Sequence, residues 1–314
     1  MAEHVIILTP VYNDGESLNH LLAELAVSLK AFTGTSFTVL VADDGSTDHL
    51  VLNVPASFSV QLLRLQRNIG HQKAIAVGLA YIKENMPCDK VLVMDADGED
   101  KPEDAAALLR HAVVNTGTII FARRQSRQEG SGFRFFYRLY KIAFRILTGK
   151  SIAFGNFLLM PKPLLDKVVY YSEIWNHLAG GIIKTGLPYT SIVTNRGKRY
   201  AGSSNMKFNT LLMHGLGAIA VFIEVIASRL LIFSLVLIGI SGVAILALVG
   251  IRSFSDLAIP GWTSTVVSAM LIILLQSFLL SLFTIFLYLS SQSQRKFIPA
   301  RHYKDYTGPV EILQ

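Results

Sequence analysis

The stretch VLVMDADGED, residues 91–100, runs four apolar residues straight into Asp95-Ala96-Asp97, with Glu99 and Asp100 close behind. A short unbroken apolar run that ends in a turn reads as a strand buried on both faces. Carboxylates at i and i+2 just past its end can converge on a hard divalent cation through oxygen ligands. The same residues can equally form a plain acidic turn ahead of a helix that starts at Pro102. The surrounding sequence has to decide between these readings.

Working outward, the pattern repeats. The run 5–8 reads as a strand closing on Thr9-Pro10-Val11-Tyr12-Asn13, and the run 37–42 ends in Asp43-Asp44. A third strand at 60–65 leads to Asn68, Gly70 and His71, and a fifth follows at 118–122. Helical spacing over 18–32, 73–84 and 102–115 separates these strands. The βαβα order predicts an α/β fold with a mostly parallel sheet covered on both faces. Such sheets bind ligands beyond the carboxyl ends of their strands, so one crevice should collect these polar groups. The paired Asp43 and Asp44 can accept hydrogen bonds from a ribose or a base edge. The helix opened by Asn68, Gly70 and His71 presents an N-terminus that favours anions. No second histidine stands at ligand spacing, so His71 reads as a hydrogen-bonding loop residue rather than a metal ligand.

The chain has 314 residues, of which 16% are charged, below the roughly 25% usual for soluble domains. The deficit is concentrated in the last third. Residues 230–250 are uncharged and apolar between Arg229 and Arg252, and a second such run spans 263–289 after Trp262. Both meet the requirement of about 20 residues for a transmembrane helix. Arg295, Lys296, Arg301 and Lys304 follow the second run, so the positive-inside rule puts the tail in the cytosol. Two spans then return the N-terminal domain to the same side. Residues 208–228 are apolar but contain His214 and Glu224, which suits an interfacial helix. A third crossing there would separate the tail from the N-terminal domain.

Within 133–147, Arg134, Arg138, Lys141 and Arg145 share one helical face beside Phe135, Leu139, Ile142 and Ile146. This amphipathic pattern suits either an anionic membrane surface or a surface helix on the core. The formal charge of +7 points to an anionic partner. The cations cluster near the expected membrane contacts, which argues for lipid and phosphate over nucleic acid. A single cysteine, Cys88, excludes an intramolecular disulfide. The opening residues read as a strand, so no signal peptide is expected.

The ordered set TPVYND, DDGSTD, NIGHQKA and DADGED resembles the family 2 glycosyltransferases, which carry the nucleotide-sugar-binding GT-A fold. With GNF (155–157), RYAGSSNMK (199–207) and the apolar pair, the whole layout is similar to the polyisoprenyl-phosphate glycosyltransferases. That group includes dolichol-phosphate-mannose-synthase-like and bactoprenol-glucosyltransferase-like enzymes. The resemblance implies a catalytic domain at 1–206, a juxtamembrane helix at 207–228, a transmembrane hairpin at 229–289 and a basic tail at 290–314. It implies a protein of a bacterial inner membrane with its catalytic domain and tail in the cytosol. Pro10, Tyr12, Asn13, Asp43 and Asp44 would hold the nucleoside, and Asn68, His71, Lys73, Asp95 and Ala96 would complete the donor site. Asp95, Asp97 and Glu99 would bind Mg2+ or Mn2+. Arg124 and Arg127 would contact phosphates at the reacting centre, and Arg199, Ser204 and Lys207 the acceptor phosphate.

Three departures from the family pattern bear on the chemistry. Glu99 stands where many relatives carry Gln, and Asn205 where many carry Lys, leaving Lys207 as a substitute. Asn156 stands where many carry the Asp that serves as base, and an amide cannot take a proton. Glu173 and His177 are the alternative bases. A lipid phosphate is already largely ionised near pH 7, with a second pKa of about 6, and needs no strong base. The expected reaction is therefore inverting transfer of one hexose or acetamido-hexose from a UDP- or GDP-sugar to a polyisoprenyl phosphate. A sugar-hydroxyl acceptor and a non-catalytic membrane scaffold are the alternatives, and a homo-oligomer stays open. Neither Trp175 nor Trp262 follows an arginine, so the Gln-x-x-Arg-Trp signature of processive synthases is absent.

Overall fold

The computed structural model describes residues 3–124, 131–150, 154–201, 215–254, 261–293 and 296–313, side chains excepted at 131–137 and 291–293. Its strands are β1 (Glu3–Val11), β2 (Thr35–Asp43), β3 (Ser59–Leu65), β4 (Lys90–Val93), β5 (Ile119–Arg124), β6 (Leu158–Pro161), β7 (Tyr189–Thr194) and β8 (Thr307–Leu313). They form one mixed sheet in the order β7-β5-β6-β4-β1-β2-β3-β8. The central pairs β4-β1, β1-β2 and β2-β3 are parallel, while β6 runs antiparallel to β4 and β5. Helices α1 (Gly15–Ser28), α2 (His71–Asn85) and α3 (Pro102–Val114) are the crossovers expected from the spacing. Helix α4 (Ser131–Thr148) follows β5; α5 (Lys162–Val168) and α6 (Leu178–Thr185) lie between β6 and β7.

Side chains alternate across each strand, so the sheet buries two apolar layers. Ile6, Leu8, Leu40, Leu63, Val91 and Val93 pack with α2, α5 and α6. Val5, Ile7, Val39, Val41, Leu62 and Leu92 pack with α1 and α3 on the other face. A Cβ on Gly78 would lie 2.5 Å from Leu8 Cδ1, so this glycine sets how closely α2 approaches the sheet.

The chain's end corrects an expectation. Of the residues 290–314 read as a basic tail, Thr307–Leu313 form β8, antiparallel to β3, with Arg64 Nε donating to Glu311 Oε1 at 2.9 Å. Phe297 and Tyr306 flank Trp175, with ring centroids 3.8 and 5.3 Å away. Residues 1–141, 151–221 and 297–314 accordingly form one compact unit.

The second unit comprises residues 142–150 and 222–296. Its helices Ile223–Phe254 and Trp262–Ser293 are both long and apolar enough to cross a membrane. The first begins earlier than 230 and absorbs Glu224, read above as part of an interfacial helix. The described part of that helix is residues 215–220, followed by a turn at 221–222. Tyr288 Oη donates to Glu224 at 2.8 Å, and the Ser234 and Ser281 hydroxyls meet at 3.2 Å. Ala227, Ser234 and Ser241 are buried at seven-residue intervals, the repeat of a left-handed helix seam. The end of α4 belongs here too: Phe144 meets Phe222 edge-on at 5.9 Å, and Arg229 Nη1 donates to the Ile146 carbonyl at 2.6 Å.

Candidate active site

The crevice forms where β1, β2 and β4 end. Asn13 ties the first two ends together: its side chain donates to Thr47 Oγ1 and accepts from the Thr47 and Asp48 amides, and its amide donates to Ser46 Oγ. Its φ of 48° is one that asparagine tolerates better than most residues. Asp43 accepts from the Ser46 amide and Arg64, and Asp44 from the Ile69 and Gly70 amides at 2.8 and 2.9 Å. Burial raises the Asp44 pKa despite those two donors. The pair expected to reach for a nucleoside is thus already braced against its own loops. Gly45 makes this possible, because a Cβ there would lie 2.6 Å from the Arg67–Asn68 backbone. Pro10 is buried, whereas Tyr12 and Asn68 are exposed at the crevice rim.

Lys73, expected at the donor site, stands beside an aromatic ring. Its ammonium lies 5.4 Å over the Trp175 ring, a cation–π contact on the aromatic cluster built by the chain's end.

The Asp-Ala-Asp turn collects charge. Ala96 is buried between the two carboxylates. Asp95 Oδ1 lies 3.2 Å from His71 Nε2, and Asp97 Oδ2 lies 3.2 Å from Arg199 Nη1. Asp100 closes the turn by accepting from the Asp95 amide at 3.0 Å and from Arg124 Nη2 at 2.9 Å. Glu99 accepts from Arg124 Nη1 at 3.3 Å and from Arg196. Burial raises the Asp97 pKa above the usual carboxylate range, and the Asp95 charge adds to it. Burial and then the Asp95 charge push Asp100 up to about 7. Burial opposes protonation of His71, but Asp95, Asp100 and Asp97 outweigh it and raise its pKa.

The carboxylate of Glu99, expected as a third metal ligand, is engaged by two guanidiniums. Among the described residues no group of three or more His, Cys, Asp or Glu is arranged to hold an ion.

The segment 195–201, after β7, lies along this turn. Gly197 N donates to the Glu99 carbonyl at 2.9 Å, and Tyr200 N to the Asp97 carbonyl at 3.0 Å. Such contact needs two glycines: a Cβ on Gly197 would collide with the Gly98 carbonyl, and one on Gly98 would lie 2.8 Å from the Tyr200 ring. Tyr200 stacks on His20 and donates to Glu24 at 2.7 Å, which fixes the segment to α1. Beside it opens a cavity of about 620 Å³ lined by Asn13, Asp14, Asn19, Asp48, His49 and Arg199.

Both alternative bases are engaged by neighbours. His177 is buried and caps α6, its Nδ1 accepting from the Gly180 amide at 3.0 Å. Glu173 pairs with Lys184 at 3.2 Å; burial works against the charged form, but hydrogen bonds and Lys184 leave its pKa lowered. Asn156 Nδ2 lies 3.1 Å from His71 Nε2. Arg127, Ser204 and Lys207 lie outside the described residues. Sequence reading missed Arg196, gave Asp100 no role and left Tyr200 without one. Arg124 reaches Asp100, Arg196 reaches Glu99 and Tyr200 reaches Glu24 across 24, 97 and 176 residues, so no local signal marks these contacts.

Residues 6–169 match the sequence pattern of glycosyl transferase family 2. The chain belongs to that family. It is 24% identical over 283 residues to the "Uncharacterized glycosyltransferase YkcC" of Bacillus subtilis, covering 86% of this chain and 85% of that protein. It is 32% identical over 160 residues to the undecaprenyl-phosphate 4-deoxy-4-formamido-L-arabinose transferase of Edwardsiella ictaluri, covering 48% of this chain and 46% of that protein. The fold is similar to that of glucosyl-3-phosphoglycerate synthase from Mycobacterium tuberculosis, solved with Mn2+, UDP-glucose and phosphoglyceric acid. The TM-score is 0.50 and the identity 16%, over 71% of this chain and 80% of that one. The α/β expectation, the family and the pair of apolar helices therefore hold.

Proposed function

We propose that this family 2 member is an inverting hexosyltransferase of the cytosolic membrane face. It moves one hexose or acetamido-hexose from a UDP- or GDP-sugar to a polyisoprenyl phosphate. The observation that carries this reading is the gathering of Asp95, Asp97 and Asp100 around one strand-end turn with two guanidiniums, Arg124 paired with Asp100 and Arg199 with Asp97. Burial and the neighbouring Asp95 charge push Asp97 towards protonation, a strain that a hard divalent cation on this turn would relieve. Asp95 and Asp97 would hold Mg2+ or Mn2+, and the ion would supply charge neutralisation for the departing nucleoside diphosphate. Arg124 and Arg127 would present planar donor forks to phosphate oxygens. Tyr12, Asn13, Asn68 and the Asp43–Asp44 loop would wall the nucleoside, and Arg199, Ser204 and Lys207 would receive the acceptor phosphate.

The acceptor follows from the missing base. A sugar hydroxyl must lose a proton as it attacks, and Asn156, Glu173 and His177 are each unsuited to take it. An ionised phosphate oxygen attacks the anomeric carbon directly. The new carbon–oxygen bond forms as the bond to the nucleoside diphosphate breaks, and no proton has to move. The relative from Edwardsiella ictaluri, named for an undecaprenyl-phosphate reaction, supports this acceptor class.

Chain connectivity supports the membrane arrangement. The chain leaves the sheet domain at 221 and rejoins it at 297, where β8 pairs with β3. Two crossings bring both ends to one side, and three would not. The exposed pairing of Arg138, Lys141 and Arg145 with Leu139, Ile142 and Ile146 on α4 supports an interfacial helix. The test is a donor screen with detergent-solubilised protein, Mg2+ or Mn2+ and a short polyprenyl phosphate, followed by lipid extraction. Label in the lipid fraction is expected; label only in water-soluble glycan would sink the proposal.

A further inference from the structure

The segment 195–201 meets the acidic turn at two charged points of different character. At one, Arg196 pairs with Glu99, whose side chain is 13% exposed and which also holds Arg124. At the other, Arg199 Nη1 stands 3.2 Å from Asp97 Oδ2, with Asp14 Oδ2 3.9 Å from Nη2. Arg199 Nε is buried and, among the described residues, has no hydrogen-bond partner. A buried guanidinium N–H left unsatisfied is costly, so this arrangement is short of a partner. Arg199 also lines the cavity of about 620 Å³, where an anionic group could supply one.

We propose that 195–201 is a two-point strap with one fixed and one exchangeable anchor. Glu99 is a positioning residue that holds Arg196 and Arg124 and is not a metal ligand. Arg199 neutralises Asp97 in the resting protein and is handed to a phosphate oxygen when a divalent cation and the donor diphosphate occupy the turn. The inference rests on the transferase reading and deepens it. A guanidinium and a divalent cation at the same Asp97 carboxylate repel each other and share its charge, so each weakens the other's hold. Handing Arg199 over satisfies Nε, leaves Asp97 to the cation and turns the guanidinium into an anion receptor. The Glu99–Arg196 anchor and the paired glycines Gly98 and Gly197 keep the strap in place throughout.

Mn2+ binding to the full-length protein in detergent, read by the electron paramagnetic resonance signal of free Mn2+ with and without UDP, tests this. Without UDP, Arg199→Gln should bind Mn2+ more tightly than wild type by about five-fold or more, a coupling of ordinary size. Glu99→Gln should leave Mn2+ affinity unchanged while the acceptor KM rises. Unchanged or weaker Mn2+ binding by Arg199→Gln would overturn the competition. Weakening by about ten-fold or more in Glu99→Gln, the scale of losing a coordinating or supporting group, would make Glu99 part of the metal site and overturn its positioning role. Absence of Mn2+ binding by wild type even with UDP would overturn the metal reading itself, and the strap with it.

Discussion

Two apolar regions of this chain are handled in opposite ways. In β1, Val5, Ile6, Ile7 and Leu8 are all fully buried, sealed by helices on both faces. In the long helices, Phe233 is 61% and Leu246 73% exposed, and burial is confined to a narrow seam with Ser234, Ser241 and Ser281. The difference lies in the backbone. A strand pairs its amides with neighbouring strands and needs a whole sheet domain around it. A helix satisfies its own amides and can leave its side chains for lipid. The sheet domain can therefore hold charged groups in fixed geometry at its strand ends, while the hairpin offers length and greasiness.

The sharpest way to break this comparison is to truncate matched residues. Leu8→Ala should destabilise the sheet domain by about 2–5 kcal/mol, the cost of a buried cavity. Ile240→Ala, at a site 62% exposed, should fall within about 0.5 kcal/mol. Thermal unfolding in detergent reads both, and equal losses would erase the distinction. Next, Asp97→Ala should lower turnover by about 10²–10³-fold, comparable to losing a preorganised electrostatic group. The unfolding midpoint should stay near wild type, and undiminished transfer would remove Asp97 from the site.

A third expectation concerns pH. Asp100 titrates near 3.9 when unfolded and is pushed up to about 7 when folded. Between these values the native state binds the extra proton, so this group's contribution to stability falls as pH rises through the window. In metal-free protein the Asp100→Asn variant should therefore lose stability less steeply than wild type between pH 4 and 7. An identical slope would mean that Asp100 does not titrate there. The smallest effect belongs to the hairpin. A double-mutant cycle on Ser234 and Ser281 should give about 0.6 kcal/mol, typical of hydrogen bonds between membrane helices. A coupling of several kcal/mol would mean that the seam is as fixed as the sheet core.

Much of the site was legible because it is local. The strand-end motifs sit where the apolar runs stop, and the sheet's parallel register brings the ends of β1, β2 and β4 side by side. What stayed hidden depends on partners far along the chain. Nothing near Glu99 in the sequence shows that Arg124 and Arg196 arrive at its carboxylate from β5 and from beyond β7. The residues after 296 look like a basic tail, and nothing local shows that they pair with β3. Nothing in the sequence around Lys73 shows that its ammonium lies over the Trp175 ring.

By itself the sequence determined the α/β order, the two apolar helices, the family and the turn on which acidic groups gather. All of these follow from periodicity and short-range spacing, which backbone geometry converts directly into structure. The tertiary structure alone decided which charges meet: Arg199 with Asp97, two arginines with Glu99, and β8 with β3. Ion pairing depends on distances of a few ångströms between residues up to a few hundred positions apart, and only the folded sheet sets those distances.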